Sequence, residues 1–356
     1  MFFAHFRDGE GCKSYLVGCE ETCAAALIDP ALGLVDRYLG EIARQGLRLR
    51  YVIDTHTHAD HFSGARALRA ATGAPIVMHR LSPAPHVDLA VEDGHCLPLG
   101  ELRLGVLHTP GHTRDSMAIH LAGVDGAPGR VFTGDTLLIG GTGRSDLPSG
   151  DPDQLYDSLF GKLLALADDT LVFPAHDYKG RDHSTIGDER RANPRLAKTE
   201  RAEFVALMNS LDLKAPTHLT EALRTNVSGG KTVRQLLAEA GARVPFMGLD
   251  ELNRRIAARG NDFVVLDVRE KDAFTAGHVP GALHLPRGQL ELRVNEVLPD
   301  PGFEIVSVCE FGKISTLATA TLRDLGFSRA TALDGGMAAW RAAGHPLEPA
   351  AGPAPA

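Results

Sequence analysis

Seven side chains of the kinds that bind metals follow short apolar runs in the first half of the chain. Four of them fall within the segment THTHADH, and the other three lie in PGHT, TGDT and PAHD. In chain order they are His56, His58, Asp60, His61, His112, Asp135 and His176. Imidazole and carboxylate groups suit ions such as zinc, iron and manganese. Because the loops after neighbouring strands converge, we predict that these side chains form one metal centre.

A second candidate for chemistry is Cys309, in the segment EIVSVCEFGKIST. It follows a predicted strand and precedes a predicted helix, where backbone N–H groups point inward and stabilise a thiolate. Such a thiolate can attack the outer sulfur of thiosulfate or of a persulfide, become a cysteine persulfide and pass the sulfur on. We interpret the remaining cysteines as small apolar side chains: Cys12, Cys19, Cys23 and Cys96.

The elements that must position these residues alternate between strands and helices. Up to about residue 220, β-branched runs such as RYVID, LRLGVLH and RVFTG alternate with helical segments, which predicts a layered α/β domain over residues 1–230. From residue 244, the strands FVVLDV, EIVSV and ATALD alternate with helices and predict a small parallel α/β domain to residue 348. We expect a linker at 231–243 and a disordered Pro/Ala-rich tail at 349–356.

The composition narrows the classes of partner. The chain has 356 residues, a net charge of −8 and interspersed charges of both signs, so we expect no nucleic-acid or anionic-membrane partner. No apolar run reaches the roughly 18 residues of a membrane span, and the first residues lack the pattern of a signal peptide. Five cysteines without a C-x-x-C pair indicate a reducing compartment. We therefore expect a bacterial cytoplasmic protein.

The segments THTHADHFSG, GDTLLIGGTGRSDLPSGDPDQLYDSL, LVFPAHDYKG and ERRANPRL resemble the metallo-β-lactamase superfamily and, within it, the persulfide dioxygenases. This resemblance covers residues 1–230 and implies an αββα sandwich. It also implies one Fe(II) per chain bound by His56, His112 and Asp135, with positions left open for a persulfide and O2. The remaining metal-type residues would surround the iron through waters and hydrogen bonds without holding a second metal: His58, Asp60, His61 and His176.

The ligand count leaves an alternative open, because all seven ligands of a two-metal site are present. A dinuclear hydrolase of the glyoxalase II type, a thiolester hydrolase that also uses glutathione, would use the same residues. The last ligand lies in PAHDY, whereas these hydrolases tend to carry GHEY, and GRSD matches the dioxygenases. Both features favour the oxygenase.

Three residues are candidates for binding glutathione. Arg144, in GTGRSD, could bind a carboxylate through two hydrogen bonds, and glutathione carries two carboxylates. The resemblance implies that Arg144 contacts glutathione and that Tyr178 lies near the iron and the substrate. We expect Asn226 at the other end of the substrate.

The segments LDVREKDAFTAGHVPGALHLP and LDGGMAAWRAAGHPL resemble rhodanese domains, which are sulfurtransferases, and Cys309 lies where the rhodanese nucleophile does. Many rhodaneses have CRxGxRS at this point, whereas this chain has CEFGKIS. Glu310 replaces a basic residue and Ile314 replaces an arginine, with Lys313 as a partial substitute. Such an acidic, partly apolar loop should disfavour the thiosulfate dianion. The signature residue Arg269 is expected to be mainly structural.

The two halves would share substrates and products. One would consume glutathione persulfide with O2 and release sulfite and glutathione, and the other would move sulfane sulfur between thiosulfate or sulfite and glutathione. We therefore expect a sulfide-detoxifying persulfide dioxygenase–rhodanese fusion, and a homodimer by resemblance alone. The rivals are the thiolester hydrolase, a sulfurtransferase whose first domain only binds a persulfide, and a non-catalytic sulfur carrier.

Overall fold

A computed structural model describes residues 1–123, 126–213, 219–258, 263–298, 300 and 302–349. The chain divides into two compact units, Met1–Gly230 and Lys231–Ala356. Apart from Pro349, the tail that we expected to be disordered lies outside the described residues. Among the described residues, no helix is long and apolar enough to cross a membrane.

The first unit contains two six-stranded sheets, in the orders β1-β2-β3-β4-β5-β6 and β14-β13-β10-β9-β8-β7. Strands β11 and β12 form a separate hairpin. The strands are β1 (Phe2–Arg7), β2 (Lys13–Gly18), β3 (Ala24–Ile28), β4 (Arg48–Ile53), β5 (Ile76–His79), β6 (Leu89–Val91), β7 (Cys96–Leu99), β8 (Leu102–His108), β9 (Met117–Leu121), β10 (Arg130–Gly134), β11 (Leu137–Leu138), β12 (Gly141–Thr142), β13 (Leu171–Pro174) and β14 (Ser184–Thr185).

Helices cover the outer faces of these sheets. They are α1 (Val35–Arg44), α2 (Ala65–Thr72), α3 (Pro152–Tyr156), α4 (Ile186–Ala192), α5 (Arg201–Asn209) and α6 (Leu219–Ser228). Between the sheets, Tyr15 and Ile53 pack in one cluster with Phe132 and Phe173. On the outer faces, α1 and α2 bury apolar residues against the first sheet, and α3 and α5 against the second. The αββα sandwich that we predicted is therefore confirmed.

The second unit has one parallel sheet, in the order β15-β19-β18-β16-β17. Its strands are β15 (Phe246–Met247), β16 (Phe263–Asp267), β17 (Leu283–His284), β18 (Glu304–Val308) and β19 (Ala330–Leu333). Its helices are α7 (Val233–Arg243), α8 (Leu249–Ala257), α9 (Lys271–Thr275), α10 (Leu290–Val297), α11 (Lys313–Asp324) and α12 (Gly336–Ala342). Strand β18 is central, so the residue after it, Cys309, lies at the carboxyl edge of the sheet, where α/β folds place their sites.

The segment 231–243, which we expected to be a linker, belongs to the second unit. It holds α7, which begins with a capping box between Thr232 and Gln235. The helix packs on α11 through a small cluster that contains Ala240, Val244 and Ala320. The helix is therefore part of the folded second unit.

Candidate metal centre and candidate sulfur-transfer site

The segment THTHADH follows β4 and is held by two buried carboxylates. Asp29 accepts hydrogen bonds from the N–H of Thr55 at 2.7 Å and from its hydroxyl at 3.0 Å. Asp115 accepts from the N–H of Thr57 at 3.0 Å and from its hydroxyl at 2.6 Å. These contacts fix the backbone on either side of His56. Neither carboxylate was predicted from the sequence, although Asp29 directly follows the strand in ALIDP.

The other end of the same loop is held by Asn226, on α6. Its amide nitrogen donates to the carbonyl oxygens of His58 at 2.9 Å and His61 at 2.8 Å. Its amide oxygen accepts from the N–H of Ser63 at 3.0 Å. Because these bonds occupy the amide, Asn226 supports the metal-binding loop and is not placed as the substrate contact that we expected.

The three predicted iron ligands converge. His56, His112 and Asp135 each offer a ligand atom, and these atoms lie within 4.8 Å of one another. His112 donates its Nδ1–H to the carbonyl oxygen of Arg144 at 2.8 Å, and the Nδ1 of His56 bonds the hydroxyl of Thr55 at 3.0 Å. Both imidazoles are thereby oriented through Nδ1, and the buried Nε2 of His56 has no hydrogen-bond partner among the described residues. Two imidazoles and one carboxylate fit a single divalent ion.

The electrostatics of this group suit a metal. Burial, reinforced by the neighbouring His58 and His112, lowers the pKa of His56 to about 3, so its imidazole is neutral at physiological pH. Burial alone would raise the pKa of Asp135, but the adjacent His176 and His112 outweigh it and hold that pKa below its ordinary value. A neutral imidazole and an ionised carboxylate are the forms that bind metal ions.

A second group lies beside the first. Cys12, Asp60, His61 and His176 also bring ligand atoms within 4.8 Å of one another. His176 connects the groups, because its Nδ1 is 2.7 Å from Asp135 Oδ1 and its Nε2 is 2.6 Å from Asp60 Oδ2. From the sequence, Cys12 was expected to be only a small apolar side chain. An isolated β-bridge between Cys12 and His176 brings it here, and local sequence carries no signal of that pairing.

The last of the seven residues, His58, falls in a third, fully buried group with Asp29 and Asp54. Its Nε2 lies 3.3 Å from Asp29 Oδ1 and 3.9 Å from Asp54 Oδ1. Burial raises the pKa of Asp54 to about 7 and lowers that of His58 well below its ordinary value. The seven predicted residues are thus brought together: six form two adjoining groups, and the ring of His58 lies 4.2 Å from the rings of both His56 and His61 while it faces the two carboxylates.

A cavity of about 670 Å³ opens over the metal-type groups. Its lining includes His112 and Asp135, together with Arg144 and Tyr178. The guanidinium of Arg144 is held by Asp146 through two hydrogen bonds of 2.6 Å. A Cβ on the preceding residue, Gly143, would lie 1.9 Å from the Asp135 carbonyl oxygen, so only glycine fits there.

Tyr178 lines the cavity beside the metal-type residues. Its ring stacks on that of His176, with centroids 6.0 Å apart and an angle of 14° between the rings. The side chain is 75% exposed, so a face remains available at the cavity. Both predicted glutathione contacts, Arg144 and Tyr178, therefore line one cavity with the metal-type residues.

In the second unit, Cys309 is buried between β18 and α11. Its sulfur accepts a hydrogen bond from the N–H of Ser315 at 3.1 Å and lies 3.3 Å from the Ser315 hydroxyl. The carbonyl oxygen of Cys309 accepts a hydrogen bond from the N–H of Met337 at 2.8 Å. A Cβ on Gly336 would lie 2.4 Å from that carbonyl oxygen, so glycine is required. Lys313 begins α11 and is exposed.

The acidic residue of the CEFGKIS loop has two basic partners. The carboxylate of Glu310 contacts the guanidinium of Arg341 and lies 3.3 Å from that of Arg269. Arg269 also bonds Asp267 at 2.7 Å and the carbonyl oxygen of Gly277 at 2.8 Å. Arg269 thus has the structural role that we predicted by holding the loop to the strand end.

Comparisons with known proteins agree with this architecture. Residues 7–176 match the family model of the metallo-beta-lactamase superfamily, and residues 249–343 match that of the rhodanese-like domain. The chain therefore belongs to the metallo-beta-lactamase superfamily and carries a rhodanese-like domain after that fold.

Its relatives are more specific. The human mitochondrial persulfide dioxygenase ETHE1 is 40% identical over 218 residues, which are 61% of this chain and 84% of that protein. The crystal structure of ETHE1 from Myxococcus xanthus is 43% identical, has a TM-score of 0.62, and covers 65% of this chain and 100% of its own. A metallo-beta-lactamase from Staphylococcus aureus subsp. aureus COL aligns over 94% of this chain and 98% of its own, with a TM-score of 0.59 and 26% identity. The resemblance to persulfide dioxygenases fused to a rhodanese domain is confirmed.

Proposed function

We propose that the first unit oxidises glutathione persulfide with O2 at one Fe(II) bound by His56, His112 and Asp135. Glutathione persulfide, O2 and water give glutathione, sulfite and two protons, so the outer sulfur loses the four electrons that O2 accepts. The observation that carries the proposal is the convergence of two imidazoles and one carboxylate beneath a cavity. The persulfide dioxygenase relatives support the choice of substrate.

The residues around this site have separate roles in the proposed reaction. His56, His112 and Asp135 would hold the Fe(II), which would supply the redox chemistry for the reaction of O2 with a soft anionic sulfur. Arg144 binds a glutathione carboxylate by exchanging it for Asp146, which it now holds. Tyr178 covers the substrate at the cavity, and its position over His176 fixes the ring. The other metal-type residues would surround a bound iron through hydrogen bonds without holding a second metal.

We propose that the second unit moves sulfane sulfur between thiosulfate or sulfite and glutathione. The thiolate of Cys309 attacks the outer sulfur of thiosulfate, the S–S bond of thiosulfate breaks, and sulfite leaves. A glutathione thiolate then attacks the outer sulfur of the cysteine persulfide, which gives glutathione persulfide and restores Cys309. The Ser315 N–H bonds the sulfur that carries the charge, and Lys313 attracts anionic substrates. All five cysteines are free, which favours a reducing, cytoplasmic location.

A second candidate for the first unit is a two-metal thiolester hydrolase. The observation that favours it is the adjoining group of Cys12, Asp60, His61 and His176, which offers ligands for a second ion. Here the deciding quantity is the number and kind of metal ions bound. One iron per chain fits the dioxygenase, and two zinc ions per chain fit the hydrolase.

The test combines metal analysis of protein purified under low oxygen with oxygen uptake on adding glutathione persulfide. We expect one iron per chain and rapid uptake. Two zinc ions, no uptake and hydrolysis of a glutathione thiolester would overturn the proposal. Asp135→Ala should abolish uptake and leave sulfur transfer intact, whereas Cys309→Ser should do the reverse. Loss of both activities in Cys309→Ser would show that the first unit only binds a persulfide.

A further inference from the structure

The two arginines beside the loop that carries Cys309 are paired with carboxylates. Glu310 contacts the guanidinium of Arg341 and lies 3.3 Å from that of Arg269, which is also paired with Asp267. Burial would raise the pKa of Glu310, but the two arginines outweigh it and hold that pKa below its ordinary value. Glu310 is therefore an anion at neutral pH. Two guanidinium groups face two carboxylates, so these four groups offer no net charge to a bound anion.

The surface of the same loop is apolar. The Phe311 side chain is 69% exposed and that of Ile314 is 51% exposed, on either side of the exposed Lys313. Phe311 lies two positions after the nucleophile, just before α11, and Ile314 lies five positions after it, in the first turn of α11. In the free protein these apolar side chains remain in contact with water. An organic ligand that covers them removes apolar surface from water, which favours its binding.

We propose that the Cys309 loop selects sulfur carriers with an organic group, of the glutathione persulfide class, over the thiosulfate dianion. The inference rests on the proposed sulfur transfer and names its preferred substrate class. Thiosulfate brings two negative charges and no apolar surface to this loop, and the arginines beside the loop are already paired with carboxylates. A persulfide of a peptide thiol brings one charge at its sulfur, methylene groups that cover Phe311 and Ile314, and a carboxylate that Lys313 attracts.

The chemical step is balanced without another reactant. The thiolate of Cys309 attacks the outer sulfur of the organic persulfide, a new S–S bond forms on Cys309, and the S–S bond of the donor breaks. The organic thiolate leaves with the electron pair of that bond. The persulfide on Cys309 keeps the proton of the donor or releases it to water.

The experiment follows the loading of Cys309 in the full-length protein under anaerobic conditions, so that no oxygen is consumed. Glutathione persulfide or thiosulfate is mixed with the protein, and the gain of one sulfur atom is followed by intact mass, with Cys309→Ser as the baseline for the other cysteines. We expect a second-order rate constant at least about tenfold higher for glutathione persulfide, which corresponds to about 1.4 kcal/mol.

Two variants separate the charge from the apolar surface. Glu310→Ala removes the carboxylate that contacts Arg341 and lies near Arg269, and should raise the thiosulfate rate about tenfold by leaving a net positive charge beside the loop. Phe311→Ala should lower the glutathione persulfide rate severalfold and leave the thiosulfate rate unchanged. Glu310→Gln, which keeps the shape of the side chain, tests the same charge if Glu310→Ala does not fold.

Matched controls come from α10. Glu291→Ala removes another arginine-paired glutamate, whose carboxylate lies 2.8 Å from Arg287, and Leu292→Ala removes another exposed apolar side chain. Both should leave both rates unchanged. Equal loading of wild-type protein from the two donors, or no response of thiosulfate loading to loss of the Glu310 charge, would overturn the selectivity. Loading from neither donor would instead overturn sulfur transfer itself.

Discussion

Replacing Asn226 with alanine should loosen the metal-binding loop without touching the cavity. The change removes three hydrogen bonds of 2.8–3.0 Å, to the carbonyl oxygens of His58 and His61 and from the N–H of Ser63. Each such bond contributes about 0.5–1.5 kcal/mol net. Their loss should lower the free energy of unfolding of the first unit by about 2–4 kcal/mol.

The same change should weaken metal binding, because a support of the ligand loop is lost. Loss of such supports typically lowers metal affinity about 10–100-fold. Affinity is measured by competition with a chelator, and unfolding of the metal-free protein by circular dichroism in denaturant. Fluorescence of Trp340, the only tryptophan of the chain, reports the second unit and should not change.

The control is Asn209→Ala, at the exposed end of α5, which should alter neither quantity. At saturating metal, the KM of the Asn226→Ala variant for glutathione persulfide should stay within about twofold of wild type, since the metal ligands then hold the loop in place. Unchanged stability and metal affinity with a raised KM would refute this reasoning and show that Asn226 binds substrate.

Three further predictions address other parts of the molecule. Gly336→Ala should abolish sulfur transfer and leave oxygen uptake unchanged, because the new Cβ would lie 2.4 Å from the Cys309 carbonyl oxygen. The control is Gly344→Ala, since Gly344 also has a positive φ but a Cβ there would meet no atom within 4 Å. Retained sulfur transfer in Gly336→Ala would contradict this reasoning. Asp29→Asn should lower metal affinity about 10–100-fold in the chelator assay while sulfur transfer is unchanged, and equal affinity would count against it. Burial lowers the pKa of His79 from 6.5 to about 4, so as the pH falls through this range the unfolded chain binds a proton that the folded chain does not. The free energy of unfolding of the metal-free protein should therefore decrease as the pH is lowered from 6.5 to 4, and it should decrease less in His79→Gln. Equal decreases in the two proteins would disprove this prediction.

The metal residues were predictable because their side chains have a chemistry that sequence displays. His56, His112 and Asp135 each follow a strand, and strand ends can be inferred from apolar runs. Cys12 was not predictable, because its place depends on a β-bridge to His176 that joins distant parts of the chain. The amide of Asn226 was recognised as a binding group, but its partners follow from how α6 packs.

In the second unit too, local features could be predicted from the sequence and long-range contacts could not. The position of Cys309 after a strand and before a helix could be read directly, and the structure has β18 and α11 there. The segment 231–243 has the spacing of a helix and a capping box, yet its packing on α11 involves residues about eighty positions away. Secondary structure depends on local sequence and can be predicted. The element on which a helix packs lies far away in the chain and cannot be predicted from the local sequence.

Gly143 and Arg144 keep the support of the metal centre apart from the lining of the cavity. The backbone carbonyl oxygen of Arg144 orients His112, and Gly143 admits no side chain against Asp135. The side chain of Arg144 points away from this framework to Asp146 and the cavity. Under the proposed role of Arg144 in binding a glutathione carboxylate, a substitution at position 144 would change the substrate contact and leave the backbone carbonyl that orients His112 in place.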